Sequence, residues 1–338
     1  MSVLRKTVIA VIAVAVIVCI VTVAAFQLSP WPRALLIRRS FDKGGAATAA
    51  ALERHVPEGV AEMLDIRYLP DDPNANLDVF FPAGIERSNA RLATIVWIHG
   101  GAFVAGSKHD IGNYGRILAS YGFTVVGVDY SIAPEATYPT PLRQVNAALA
   151  YLAREAPHLH VDPSRFVLAG DSAGAQIAAQ MAAMISDASF ASDVGIAPAI
   201  ARPDLRGVIL HCGPYDVDAV DMDGAFGGFL STILWAYLGR KDFRSDPRIG
   251  QLSVVRHVTA DFPPAFISAG NGDPLGPQSK ALASRLEQLG VPVDTLFVAD
   301  DYRPALAHEY QFNLDGVEGQ RALQRTIEFL GKVAAPPQ

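Results

Sequence analysis

Val167-Leu168-Ala169-Gly170-Asp171-Ser172-Ala173-Gly174-Ala175 decides how the rest of the chain is read. An apolar run, Phe166 to Ala169, drives into Gly170-Asp171-Ser172-Ala173-Gly174 and leaves as an alanine-rich segment of high helical propensity. This is a G-x-S-x-G pattern in strand–turn–helix context, the setting that gives a five-residue motif meaning. Glycines at 170 and 174 let two backbones come close on either side of a tight turn. The serine between them is then held at a strained backbone angle with its hydroxyl in open space.

Working outward, strand and helix signals alternate. Met63 to Tyr68, Leu77 to Phe81, Ala93 to Ile98 and Phe123 to Val128 read as strands, as do Val208 to Leu210, Ala265 to Ser268 and Thr295 to Val298. Residues 110–121, Leu142 to Glu155, Ala173 to Ile185, Leu275 to Leu289 and Val317 to Val333 carry helical patterns. Strands separated by helices predict a mostly parallel, doubly wound α/β sheet with helices on both faces. One interval breaks the alternation. Residues 213–262 hold Phe226, Phe229, Trp235 and Tyr237 with three glycines at 224, 227 and 228. An insertion there sits above the C-terminal edge of the sheet, where open α/β sheets bind ligands, and we read it as a cap.

A serine hydroxyl is a poor nucleophile until a base removes its proton, and the base needs an orienting acid. Forward from Ser172, the loop after the strand at 265–268 holds Asp273, and the loop after the strand at 295–298 holds His308. Asp300 and Asp301 compete as the acid, His257 and His211 as the base; both histidines precede Asp273, the wrong order for a base that follows the acid. Ile98-His99-Gly100-Gly101-Ala102-Phe103 follows a buried strand, and its glycines allow backbone N–H groups to approach a developing oxyanion, with the N–H of Ala173 completing the hole.

With these residues in hand, the chain resembles the hormone-sensitive-lipase-like bacterial carboxylesterases and acetyl esterases of the α/β-hydrolase superfamily. The resemblance rests on His99-Gly100-Gly101-Ala102-Phe103, Asp129-Tyr130-Ser131-Ile132-Ala133-Pro134-Glu135, Gly170-Asp171-Ser172-Ala173-Gly174 and Asp273-Pro274-Leu275, and spans roughly residues 60–335. It implies an α/β-hydrolase fold with Ser172 as nucleophile, Asp273 as acid, His308 as base, and Gly100, Gly101, Ala102 and Ala173 as the oxyanion hole. The segment at 129–135 looks like the family's structural loop beside the active site. Two departures stand out: Ala102 replaces the usual third glycine, and Ala307-His308-Glu309-Tyr310 replaces the more common His-Gly-Phe ending.

Before all this, Thr7 to Phe26 is an uncharged apolar stretch of 20 residues, long enough as a helix to cross a hydrocarbon core. We read residues 1–28 as a membrane anchor with an extracytoplasmic catalytic domain. The alternative is a signal peptide cleaved near Val23-Ala24-Ala25, which yields a secreted protein. Residues 29–60 read as a linker or a piece of the cap, and 61–338 as the hydrolase domain. Net charge is −6 without a basic run, which excludes a nucleic-acid face. Cys19 and Cys212 are expected to be free, and His158 and His160 to be solvated loop residues. The expected function is serine carboxylic-ester hydrolysis through an acyl-enzyme on short- to medium-chain esters, with no metal or organic cofactor implied. An amidase, a lactonase and a non-catalytic binding protein are the competing readings.

Overall fold

The computed structural model describes residues 3–220, 222–224 and 226–335; two residues of the expected anchor, two of the expected cap and the last three of the chain lie outside them. Helix α1, Val3–Leu28, is apolar all round from Thr7 to Phe26 and exposed over most of that length. Its span Arg5–Leu28 contains an 18-residue window of mean hydropathy 3.2 and is long enough to cross a membrane, a property a signal sequence shares. Ser29-Pro30 separates it from α2, Trp31–Glu53.

Residues 29–60, expected as a linker or cap piece, are thus largely helical. The Gly44-Gly45 pair hides this helix from a propensity reading, since each interior glycine costs about 1 kcal/mol relative to alanine. Packing accounts for the second of these glycines: a Cβ at Gly45 would lie 2.7 Å from Asp110 Oδ1. A side chain at position 45 would displace the Asp110 carboxylate, which accepts from Ser107 N at 2.9 Å, so glycine lets α2 lie close to the helix that carries Asp110. Arg38 fastens α2 further. Its Nε donates to Val104 O at 2.6 Å and its Nη2 to Ala133 O at 2.9 Å, while the guanidinium also pairs with Glu135.

The remaining elements follow in chain order. They are β1 Val60–Arg67, β2 Asn76–Pro82, β3 Leu92–Ile98, α3 Lys108–Ala119, β4 Thr124–Val128, α4 Thr140–Arg154, β5 Val161–Asp171 and α5 Ser172–Ser186. Then come α6 Ala188–Val194, β6 Leu205–His211, α7 Gly227–Leu238, β7 Ala265–Ala269, α8 Gly276–Gln288, β8 Val293–Phe297 and α9 Val317–Val333. The strands form one eight-stranded sheet in the order β1-β2-β4-β3-β5-β6-β7-β8. The pairings β1–β2 and β2–β4 are antiparallel and the rest parallel. This is the α/β-hydrolase architecture, a mostly parallel sheet with an antiparallel edge.

Period-2 alternation sends successive side chains to opposite faces. Ile95 and Trp97 of β3, Val167 and Ala169 of β5 and Phe266 of β7 pack with α3 and α9; Val96, Ile98, Leu168 and Ile267 pack with α4, α5 and α8. Both faces are covered, which is why the central strands read as unbroken apolar runs. His160 departs from expectation. It is 3% exposed, tilted on the Phe81 ring, with Nδ1 3.0 Å from Ala90 O, because β5 begins at Val161 and draws the preceding residue into the sheet. His158 is exposed as expected, and both cysteines are free.

Register aligns the chemistry. Ile98 pairs with Gly170, Asp171 with His211, His211 with Ser268, and Ala269 with Phe297, so the C-terminal ends of β3, β5, β6, β7 and β8 stand side by side. Between β6 and β7, α7 and several 3-10 turns replace a regular crossover. Tyr237 of α7 stacks on Phe103 at 4.1 Å, and Phe229 stacks on Phe41 of α2 at 6.0 Å. The two helices therefore meet beside the loop that follows β3.

Candidate active site

Ser172 is the first residue of α5 and has φ +50°, a left-handed conformation that only a strongly determined turn imposes on a side-chain-bearing residue. The glycines on either side explain the constraint. A Cβ at Gly170 would lie 2.5 Å from the Gly174 carbonyl carbon, and one at Gly174 would lie 2.0 Å from Ile98 O. The turn is closed on itself and pressed against the end of β3, which turns the serine side chain away from the sheet.

His308 Nε2 lies 3.0 Å from Ser172 Oγ, and His308 Nδ1 lies 3.0 Å from Asp273 Oδ2. The Leu275 N–H donates to Asp273 Oδ1 at 2.8 Å, fixing the carboxylate from its far side. Asn271 ties the acid loop to the base loop: its side-chain amide donates to Tyr302 O at 3.0 Å, and its Oδ1 accepts from Leu306 N at 2.8 Å. Nothing in the local pattern marks Asn271, although an amide between two glycines is a side chain able to bond two loops at once. Burial alone would lower the proton affinity of His308. Cys212, Asp273 and Glu309 packed round the ring outweigh it, so the imidazole sits above its ordinary value.

The competing residues go elsewhere. His211 is fully buried between the Trp97 and Phe266 rings with Nδ1 2.7 Å from Ser268 Oγ; burial pushes it down to about 3. His257 stacks on Phe190 at 3.9 Å, its Nε2 3.0 Å from Gly250 O. Asp300 is an exposed partner of Lys280, and Asp301 is exposed.

Of the four expected oxyanion donors, Gly100 is otherwise engaged. Its N–H donates to Asp171 Oδ2 at 2.9 Å, so it shapes the loop rather than facing a substrate. Gly101 and Ala102 have no partner for their N–H groups among the described residues, and Ala173 lies in the first helical turn, where N–H groups lack intrahelical acceptors. The structural loop at 129–135 braces this segment: Tyr130 Oη donates to His99 O at 2.9 Å, and Ala133 N to Phe103 O at 2.8 Å.

Asp171 fills a variable position of the G-x-S-x-G pattern. Its second oxygen accepts from Trp97 Nε1 at 2.8 Å, so one carboxyl joins strand β3, the oxyanion loop and the nucleophile turn. A tryptophan inside an apolar strand needs a partner for its indole N–H, and that is the signal that points to an acid nearby. Burial pushes Asp171 up to about 6, against these hydrogen bonds.

Side-chain-bearing residues with left-handed backbones gather here: Ala102, Phe103, Ser172, Cys212 and Glu309 all have φ between 48° and 61°. Strain of this kind persists where packing over-determines the chain, and it marks functional sites. Cys212 Sγ, an Asp273 oxygen and a His308 nitrogen lie within 4.8 Å of one another, the one grouping among the described residues with the donor types of a metal site. Burial pushes the thiol up, which disfavours the thiolate a metal would need, and His308 and Asp273 are engaged with each other.

Residues 95–302 match a family model described as alpha/beta hydrolase fold. The chain belongs to the hormone-sensitive-lipase-like branch of the alpha/beta-hydrolase family. Among solved structures it is similar to esterase B from Lactobacillus rhamnosis, with 25% identity over 88% of this chain and 96% of that one and a TM-score of 0.75. A form of the same enzyme inhibited by a tributyrin phosphonate gives 26%, 88%, 95% and 0.74. A bacterial heroin esterase shares the fold at 24% identity over 88% of this chain and 91% of that one, with a TM-score of 0.68. The structural neighbours of this family member are thus carboxylesterases.

Proposed function

We propose that the chain is a serine carboxylic-ester hydrolase that works through an acyl-enzyme. The observation that carries this reading is the unbroken line Ser172 Oγ–His308 Nε2–Asp273 Oδ2, each step 3.0 Å, beside unpartnered backbone donors. His308 Nε2 takes the Ser172 proton as Oγ attacks the ester carbonyl, and the N–H groups of Gly101, Ala102 and Ala173 receive the oxyanion. Each such donor is worth about 3–4 kcal/mol of transition-state stabilisation in comparable enzymes. His308 then protonates the leaving alcohol, and a water repeats the sequence on the acyl group. Asp273 holds Nδ1–H and stabilises the imidazolium.

The substrates in this reading are short- to medium-chain acyl esters, with α7 and residues 213–262 as the cap that limits the pocket and α2 completing it. The inhibition of the similar esterase B by a tributyrin phosphonate supports that size class. Helix α1 is the membrane anchor in the same reading, with the hydrolase domain on the extracytoplasmic side; carbonate extraction should leave the chain in the membrane fraction, and release would remove the anchor from the proposal.

The decisive experiment uses the detergent-solubilised full chain. It should hydrolyse p-nitrophenyl acetate and butyrate and be labelled by a tributyrin phosphonate, and Ser172→Ala should do neither. Absence of turnover and of labelling in the wild-type chain would refute the enzyme.

A further inference from the structure

We propose that Glu309 seats the deacylating water, its carboxyl oxygen and His308 Nε2 forming a two-point cradle on the reacting side of the base. The inference rests on the acyl-enzyme reading above. Glu309 Oε1 lies 3.7 Å from His308 Nε2, too far for a direct hydrogen bond. A water about 2.8 Å from each atom fits that separation. The other ring nitrogen is occupied by Asp273, so Nε2 is the nitrogen that meets reacting groups.

Glu309 holds this place at a conformational cost. Its φ is +59°, where glycine sits without strain, and the family resemblance has glycine after the base. Here a β-carbon is accepted, and the carboxyl lies between Asp171, with which it shares a hydrogen bond, and His308. A Cβ placed on Gly100 would be 3.1 Å from Glu309 Oε1, which locates that oxygen against the oxyanion loop. Gly100, Gly101, Asp171 and Glu309 line a cavity of about 330 Å³ under α2, which gives water room to reach the Glu309 carboxyl. Burial and the facing Asp171 carboxylate push Glu309 up to about 8, so near neutrality it accepts a hydrogen bond without setting a full negative charge beside the oxyanion.

The chemistry gives this cradle selectivity. Water oxygen bonds to the acyl carbon as one water proton passes to His308 Nε2, and the other proton stays on that oxygen, donated to Glu309. The tetrahedral intermediate then collapses: the acyl C–Oγ bond breaks, Ser172 Oγ takes the proton from Nε2, and the carboxylic acid leaves. An alcohol nucleophile has a single hydroxyl proton, which goes to Nε2, and has none left for Glu309. The residue therefore favours hydrolysis over acyl transfer to alcohols.

The test is the partition of the acyl-enzyme. Wild-type full chain, Glu309→Gly and Glu309→Gln are given p-nitrophenyl butyrate with added methanol, and methyl butyrate is measured against butyric acid. The ratio does not depend on the fraction of active protein, so partial misfolding cannot imitate the result. Glu309→Gly should raise methyl ester over acid at least fivefold, and Glu309→Gln, which keeps a carbonyl acceptor, should return the ratio toward wild type. A ratio unchanged in Glu309→Gly overturns the role of Glu309 while leaving the acyl-enzyme intact. A wild-type chain that neither reacts with the tributyrin phosphonate nor forms methyl ester overturns the acyl-enzyme, and this inference with it.

Discussion

Gly174→Ala isolates what the nucleophile turn requires of its neighbours. The added methyl carbon would stand 2.0 Å from Ile98 O and 2.5 Å from His99 O, both backbone atoms that no rotamer change can move. Ordinary contact begins at 3.4 Å, so 3.4 Å against 2.0 Å leaves about 1.4 Å to be found by parting α5 from the end of β3. Those two elements carry the two halves of the proposed oxyanion hole, Ala173 on one and Gly101 and Ala102 on the other. A misplacement of about 1 Å costs on the order of 100-fold in rate, and the overpacking itself costs about 1–3 kcal/mol of stability. Steady-state hydrolysis of p-nitrophenyl butyrate should therefore show kcat down by about two orders of magnitude with KM changed far less, and urea denaturation a lower midpoint. Gly331→Ala in α9 is the control, since a Cβ there meets nothing within 4 Å. A Gly174→Ala chain that keeps wild-type kcat would refute the claim that this contact sets the distance between the donors.

Two further outcomes follow from the site. In the proposed mechanism His308 must be neutral to accept the serine proton, and its surroundings hold it above the ordinary 6.5; kcat/KM should accordingly rise with pH through a midpoint above 6.5, and Asp273→Asn should lower that midpoint while cutting kcat by about 10⁴. A wild-type midpoint below 6.5 in the pH–rate profile would contradict the electrostatic account. Arg38→Ala removes the bonds from α2 to Val104 O and Ala133 O, and a loss of about 1–3 kcal/mol is expected in denaturant titration. The Glu135 partner is 41% exposed and adds little to that figure, since solvent screens the pair. An unchanged midpoint would show that apolar contacts alone hold α2.

The sequence by itself determined the sheet, its helices and the order of the chemistry along the chain. These are local matters: buried parallel strands must be continuous apolar runs, and a serine between two glycines at a strand end admits few structures. Ser172, Asp273 and His308 were legible because each follows a strand, and parallel strands deliver their ends to one edge. Tertiary structure decided what depends on close approach. Gly44-Gly45 lowers the helix propensity of its stretch, so α2 depends on packing such as that of Gly45 against Asp110. His160 was drawn into the sheet by the early start of β5. Gly100 was assigned to the oxyanion until Asp171 was seen to take its N–H, and a hydrogen bond spanning 71 positions leaves no trace in local pattern. Glu309 stood out in sequence only as a departure from a familiar ending. Its meaning depends on a left-handed backbone that turns the carboxyl toward Nε2, and backbone handedness at a side-chain-bearing residue is imposed by surroundings, not by propensity.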